Sequence, residues 1–222
     1  MTIMSVQAKK KNSKETTYHI LREHIISVSE YFENAFMGSF RQAGEKKWKT
    51  KDVNPKIFGV FIEWLMGRRL TDPDGVEYIY KKEMRADKIQ EIFTEILDIY
   101  VFADEYNVPQ LQRDAMNAFN KFQWDAPTMC STSAVGHASS RLLNNSPLLR
   151  FLIDAYAFSC SDWKANSDAA SEATNIEWLE LVPAEFFLAV LNRKGLPMER
   201  SPYQNLCDYH EYDVEEEVVA KP

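Results

Sequence analysis

Cysteine and histidine residues are the side chains of this sequence with the clearest capacity for covalent chemistry. Cys130, Cys160 or Cys207 could act as a thiolate nucleophile with His137 or His210 as its base. The rest of the sequence does not support this function. It contains no G-x-S-x-G motif, no phosphate-binding glycine loop and no H-E-x-x-H motif, and it has only seven glycines. We therefore predict a protein that is not an enzyme, and we keep a cysteine-dependent enzyme as the weakest alternative.

Cys207 and His210 also have the spacing of two metal ligands, because residues three apart share one face of a helix. A structural zinc site uses about four ligands in paired short spacings, and the sequence has no second pair of this kind. We predict neither a metal site nor a cofactor. The three cysteines are widely separated and do not resemble a disulfide framework, which favours an intracellular compartment, the nucleus or the cytoplasm.

The composition argues against several other functions. A formal net charge of -7 disfavours nucleic-acid binding, since phosphate neutralisation needs clustered lysine and arginine. No uninterrupted apolar run approaches the ~20 residues of a membrane span, so we expect no membrane partner. We also expect no small-molecule substrate. The chain has 222 residues, 45% of them hydrophobic, and can therefore build one good core and a smaller second one.

Two consecutive helices, predicted over residues 89–122, organise the rest of the chain. The first is apolar on more than one face, which indicates a buried helix. Asn107, Val108 and Pro109 interrupt the pattern, and proline suits the first position of a second helix because no amide hydrogen is needed there. The predicted core residues of the pair are Ile89, Ile92, Phe93, Ile96, Leu97, Ile99, Tyr100, Val101, Phe102, Ala103, Val108, Leu111, Ala115, Ala118, Phe119 and Phe122.

The N-terminal segments predict a small sheet. Residues 3–8 and 16–21 roughly alternate apolar and polar side chains on either side of a polar turn, as the strands of a β-hairpin do. Residues 46–53 alternate lysines with other residues, a pattern typical of an edge strand whose charges discourage further pairing.

Two helices are predicted near these strands. Ser29 is placed to cap the first, whose core face is Phe32, Ala35 and Phe36 and which ends near Gly38. Asn54 and Pro55 begin the second, and Gly67 ends it. The apolar face of this second helix is Ile57, Phe58, Phe61, Trp64 and Leu65.

The pattern changes after residue 122. Residues 123–145 lack periodicity and are predicted to be a linker. Residues 146–200 are predicted to form a helical C-terminal lobe, with one helix beginning at Pro147 and another at Pro183. Residues 201–222 form an acidic tail.

Several of these segments resemble BTB/POZ domains, in particular those of short fungal proteins. Residues 97–112, LDIYVFADEYNVPQLQ, resemble the l-x-x-Y-v-x-A-D-k-Y-x-V-p-x-L-q helix hairpin of the family. Residues 29–40 resemble its S-x-Y-F-x-x-a-f-x-G-x-F segment, and residues 54–68 its d-P-x-x-F-x-x-f-l-x-W-l-y-t-G-r segment.

Two further segments match less closely. Residues 18–22 occupy the place of the F-x-V-H-K strand, but Leu21 stands where most members have histidine. The sequence CDYHE at residues 207–211 resembles the C-D-Y-H-E-H end of fungal BTB proteins. The resemblance therefore covers the first domain well and the rest of the chain weakly.

The resemblance implies an α+β protein: a BTB/POZ fold over residues 1–122, with a small sheet packed on a helical cluster, followed by a mostly helical C-terminal lobe. It also implies a protein–protein interaction module without chemistry of its own. Such modules serve as substrate adaptors on the cullin scaffold of a ubiquitin ligase, or as oligomerisation and scaffold modules in transcriptional or structural assemblies. We expect the adaptor use and keep self-association as the alternative.

A docking site is expected in residues 71–88, because minimal adaptor members of the family bind partner helices through this region. The candidate anchors and rim residues are Tyr78, Ile79, Tyr80, Glu83 and Met84. A surface loop without a partner is the alternative. Since the hairpin begins by Ile3, we expect no strand-exchanged dimer of the kind that needs an additional N-terminal strand and helix.

Overall fold

The computed structural model describes residues 3–8, 16–37, 47–50, 53–72, 74–162, 182–194, 202 and 209. The chain divides into two compact units, residues 1–125 and 126–222. Among the described residues helices dominate, and one small β-sheet lies in the first unit. The protein therefore belongs to the α+β class, as predicted from the sequence.

The sheet has three strands in the order β2-β1-β3. Strand β1 (Ile3–Ala8) is central; β2 (Thr16–Leu21) pairs with it antiparallel, and β3 (Lys47–Thr50) pairs with it parallel. The predicted hairpin strands and the predicted edge strand are confirmed, and the turn between β1 and β2 lies outside the described residues. Val6 faces Tyr18 on one neighbour and Trp48 on the other, and it is fully buried.

The helices of the first unit are α1 (Arg22–Ile26), α2 (Glu30–Met37), α3 (Pro55–Gly67), α4 (Ala86–Glu105) and α5 (Pro109–Asp125). Side-chain caps fix two of their starts, as the sequence predicted. The Ser29 hydroxyl accepts a hydrogen bond from the amide of Phe32 at 3.1 Å, and the Asn54 side chain accepts one from the amide of Lys56 at 3.1 Å. Gly38, the predicted end of α2, lies outside the described residues.

Helices α4 and α5 form the predicted helix pair. Asn107 lies in the left-handed region with φ 47°, which asparagine tolerates better than most residues. The chain then turns back, and the amide of Val108 donates to the carbonyl of Ala103 at 2.8 Å. Every predicted core residue of the pair is buried except Ala118, which is half-buried.

Aromatic rings fill the space between the sheet and the helices of the first unit. Phe32 of α2 lies 5.2 Å from Trp48 of β3, and Phe61 of α3 lies 5.1 Å from Phe102 of α4, measured between ring centroids. Contacts at these separations and angles are favourable beyond the area that they bury. They join α2, α3, α4 and the sheet in one core.

Three helices belong to the second unit: α6 (Thr132–Ser139), α7 (Pro147–Asp162) and α8 (Ala184–Lys194). The helix starts predicted at Pro147 and Pro183 agree with α7 and α8 within one residue. The structure differs from the linker predicted for residues 123–145. Helix α5 continues to Asp125, and α6 forms within this range. Helix α6 buries Val135 and Ala138, so this region contributes to the core of its unit.

Asp154 joins three parts of the second unit. Its carboxylate accepts a hydrogen bond from Nε of Arg193 in α8 at 2.5 Å and another from the hydroxyl of Tyr209 at 2.6 Å. The Tyr209 ring also packs edge-on against Phe151 of α7 at 5.2 Å. Tyr209 belongs to the acidic tail predicted for residues 201–222, and it is buried against α7.

Truncation of Trp64 tests this account of the first unit. The side chain is fully buried, and its indole N–H donates to Asp114 of α5 at 2.8 Å. We expect Trp64→Ala to lower the free energy of unfolding by about 3–5 kcal/mol, the range for large buried aromatic residues. Trp124→Ala is the control because Trp124 is 59% exposed, and it should cost less than about 1 kcal/mol. Equal urea midpoints for the two variants would contradict the packing of α3.

Candidate functional site

The candidate site is the connection between α3 and α4, which contains every residue that the sequence nominated for partner binding. Arg68 caps the C-terminal end of helix α3; its φ of 53° is left-handed, and its amide donates to the carbonyl of Trp64 at 2.7 Å. Gly67, predicted to end the helix, is its last helical residue, so arginine takes the conformation that usually favours glycine. The Arg68 guanidinium lies 5.1 Å from the centre of the Trp64 ring, a cation–π contact.

A tight turn follows at residues 72–76. The Asp72 carboxylate accepts hydrogen bonds from the amides of Asp74 at 3.0 Å and Val76 at 2.9 Å. Gly75 has φ 76°, a conformation that favours glycine, and its amide donates to the Asp72 carbonyl at 2.9 Å. Pro73 lies outside the described residues. The turn is therefore held by its own hydrogen bonds.

Tyr78 fastens the middle of the connection to the core. Its side chain is 5% exposed, and its hydroxyl donates to Oε1 of Glu95 at 3.0 Å. Glu95 lies on α4 and is 6% exposed, and its other oxygen accepts from Nζ of Lys56 on α3 at 2.8 Å. A buried carboxylate needs such partners, since desolvation of an unpaired charge costs several kcal/mol.

Burial and the charge of Glu95 shift the pKa of both donors, Tyr78 and Lys56. Burial disfavours the phenolate of Tyr78, and the negative charge and hydrogen bond of Glu95 add to this, so the pKa of Tyr78 is strongly raised. Burial alone would lower the pKa of Lys56, but its hydrogen bond and its attraction to Glu95 outweigh burial, and the pKa is raised. Both groups therefore keep their protons at neutral pH and remain hydrogen-bond donors to Glu95.

The remaining candidate residues differ in exposure. Ile79 is 38% exposed and Glu83 is exposed, whereas Tyr80 and Met84 are half-buried. The Tyr80 ring lies 6.4 Å from that of Phe122 on α5. Residues 77–80 form no strand, and among the described residues of this connection an isolated bridge between Thr71 and Glu77 is the only β-pairing.

Tyr78 therefore needs a different interpretation from the one made from the sequence. It was predicted to be a surface anchor for a partner, but its side chain lies in the interior of the first unit. Ile79 remains exposed, and Val76, which the sequence analysis did not nominate, is 47% exposed. These two residues are the exposed apolar side chains of residues 76–80.

Sequence reasoning missed Glu95 and Lys56, although a signal for Glu95 was present. Glu95 lies three residues after Ile92 and four before Ile99, on a face of α4 that is otherwise apolar. A carboxylate at a core position predicts a buried polar contact. Its partners could not be inferred, because Lys56 and Tyr78 are distant in the sequence.

The residues considered for covalent or metal chemistry do not form a site within the described residues. Cys130 is buried, and burial raises the pKa of its thiol, so the reactive thiolate is disfavoured. His137 lies on the exposed side of α6. The side chain of Cys160, together with Cys207 and His210, lies outside the described residues.

No group of three or more histidine, cysteine, aspartate or glutamate side chains in the described ranges could hold a metal ion. In the same part of the chain, no helix is long and apolar enough to cross a membrane.

Comparison with known proteins gave no match, either among protein-family models or among curated proteins. The BTB/POZ resemblance therefore rests on the residue patterns described above.

The raised pKa of Tyr78 predicts a pH dependence of stability. Unfolded tyrosine releases its proton near pH 10, whereas Tyr78 in the folded protein keeps it, so the unfolded state binds fewer protons above this pH. The contribution of Tyr78 is complete below pH 10 and is lost as the pH rises further. Above pH 10 the free energy of unfolding of the wild type should fall more steeply than that of Tyr78→Phe, by up to about 1.4 kcal/mol per pH unit. Urea denaturation at pH 9 and 11 measures this, and parallel slopes would contradict it.

Proposed function

We propose that the protein is a non-enzymatic interaction module of the BTB/POZ type, an adaptor that binds a cullin scaffold of a ubiquitin ligase. The sequence motifs support this, and so does the order of elements: hairpin, helices, a third strand, a helix and then a helix pair. The sheet packed on a helical cluster is the architecture that the resemblance implies. The proposal assigns docking to residues 76–84.

The observation that carries the proposal is an ordered surface segment with exposed apolar side chains. Val76 and Ile79 are exposed, whereas Tyr78 is fixed in the core by its hydrogen bond to Glu95. Protein interfaces are built around such apolar anchors. A mobile loop fits poorly with residues 72–84, because several of their backbone amides donate hydrogen bonds within this range: those of Asp72, Asp74, Gly75, Val76, Ile79 and Met84.

Charged residues follow the apolar anchors in the sequence. Lys81, Lys82 and Glu83 come after Tyr80, and all three are exposed. The amide of Met84 donates to the carbonyl of Lys81 at 2.9 Å, which closes a second turn at these residues. A polar rim of this kind suits an interface that must also be stable in water without its partner.

Self-association is a second candidate, and the sheet favours it. Among the described strands, β2 pairs with β1 alone and lacks the alternating lysines of β3, so its outer edge has backbone groups facing away from the sheet. Such edges can pair with another chain. A molecular mass twice that of one chain in light scattering, without any cullin binding, would favour this candidate over the adaptor.

The decisive experiment measures binding of a purified cullin N-terminal region by calorimetry. Ile79→Asp places a charge at the proposed apolar anchor and should weaken binding at least tenfold, which corresponds to about 1.4 kcal/mol. The variant should keep the wild-type melting temperature within about 2 °C, because the side chain is already partly exposed.

Leu143→Asp is the matched control. Leu143 is 75% exposed and lies in the second unit, so the same change of apolar to charged should leave binding unchanged. If the wild type does not bind the cullin region, or if both variants bind as it does, the proposed docking site is wrong.

A further inference from the structure

Glu95 has a role that neither the sequence patterns nor the proposed function assigns. We infer that Glu95 is a positioning residue, which holds residues 76–80 in their docking conformation in the free protein through Tyr78. This inference rests on the proposed function of that segment. With Glu95 in this role, the docking surface is already ordered before a partner binds.

The geometry of the carboxylate supports the inference. One oxygen accepts from Tyr78 in the segment and the other from Lys56 at the start of α3, while Glu95 itself belongs to α4. Three parts of the chain therefore meet at one buried group. Hydrogen bonds to a charged acceptor are stronger than those between neutral groups, and a buried site strengthens them further.

The bond to Glu95 determines which way the neighbouring side chain points. Tyr78 is buried and the adjacent Ile79 is exposed, so fixing the first in the core directs the second outward. The turn made by Asp72 precedes this point and the turn closed by Met84 follows it. Each turn is held internally, whereas the hydroxyl of Tyr78 ties the residues between them to α4.

Preorganisation has a measurable consequence for binding. A segment that is already ordered loses less conformational entropy when a partner binds, so its affinity is higher than that of a flexible segment with the same contacts. Loosening the segment should therefore weaken binding although no contact residue has changed. Variants of Glu95 and Tyr78 should therefore weaken binding through loss of order. A variant of Ile79, which is proposed to touch the partner, should weaken it through loss of a contact.

Hydrogen exchange of the free protein tests the inference directly. The reporter is the amide of Ile79, bonded to the carbonyl of Glu77 at 2.8 Å. We expect about tenfold faster exchange at this amide in Tyr78→Phe, which removes the donor and keeps the ring. Glu95→Gln should act similarly, because it removes the negative charge that both donors face and places an NH₂ group where one of the two carboxylate oxygens accepts.

Tyr18→Phe is the matched control for hydroxyl removal. The Tyr18 hydroxyl donates to the carbonyl of Pro55 at 2.7 Å in the same unit, and Tyr18 lies on β2 instead of the segment. Exchange at Ile79 should match the wild type in this variant. Amides in the middle of α4 should stay equally protected in all of the variants, which distinguishes a local effect from general loss of stability.

The outcomes separate the two proposals. Unchanged exchange in Tyr78→Phe and Glu95→Gln, or equal acceleration in Tyr18→Phe, would overturn the positioning role whether or not a cullin binds. If exchange rises as expected, binding of the cullin region to Tyr78→Phe should be weakened about threefold to tenfold. If Tyr78→Phe bound the cullin region as tightly as the wild type, the claim that order of the segment strengthens docking would be overturned. Failure of the wild type to bind would refute the docking function alone, since the exchange data do not depend on it.

Discussion

Helix α4 is apolar on more than one face, and its burial requires neighbours on several sides. Helices α3 and α5 cover part of it, and the rings of Phe61 on α3 and Phe102 on α4 pack against each other. Phe61 also stacks on Phe32 of α2. Trp48 of the edge strand reaches the same cluster through Phe32. Removal of any one of these elements would expose aromatic surface on the others, so the first unit is expected to form as one cooperative core.

Apolar packing does not by itself fix how a helix is oriented on its neighbours. For α3, polar contacts fix this orientation. Near its beginning Lys56 bonds Glu95 of α4, and near its end Trp64 bonds Asp114 of α5. Two directional bonds at opposite ends limit how far α3 can rotate or slide on its neighbours. The connection after α3 thus starts from a fixed helix end, which helps to keep Val76 and Ile79 at a defined place on the surface.

The sequence was most informative where the signal is local. Caps such as Ser29 and Asn54, and the apolar faces of α4 and α5, depend on residues a few positions apart, and these predictions are confirmed. Burial of Tyr78 could not be predicted in this way, because its partner Glu95 lies on another element. Helix α6 was missed because it consists largely of small residues, whose helical spacing gives little hydrophobic contrast.

The arrangement of the sheet has a consequence for how the chain folds during synthesis. The central strand β1 is made first and can pair with β2 at once through a short connection, but its other side must wait for β3, some 40 residues later in the sequence. In that interval the open side of β1 is a surface on which a nascent chain can pair wrongly. Early packing of α1 and α2, which emerge between β2 and β3, would shorten the search and protect this side from the neighbouring chains of a polysome.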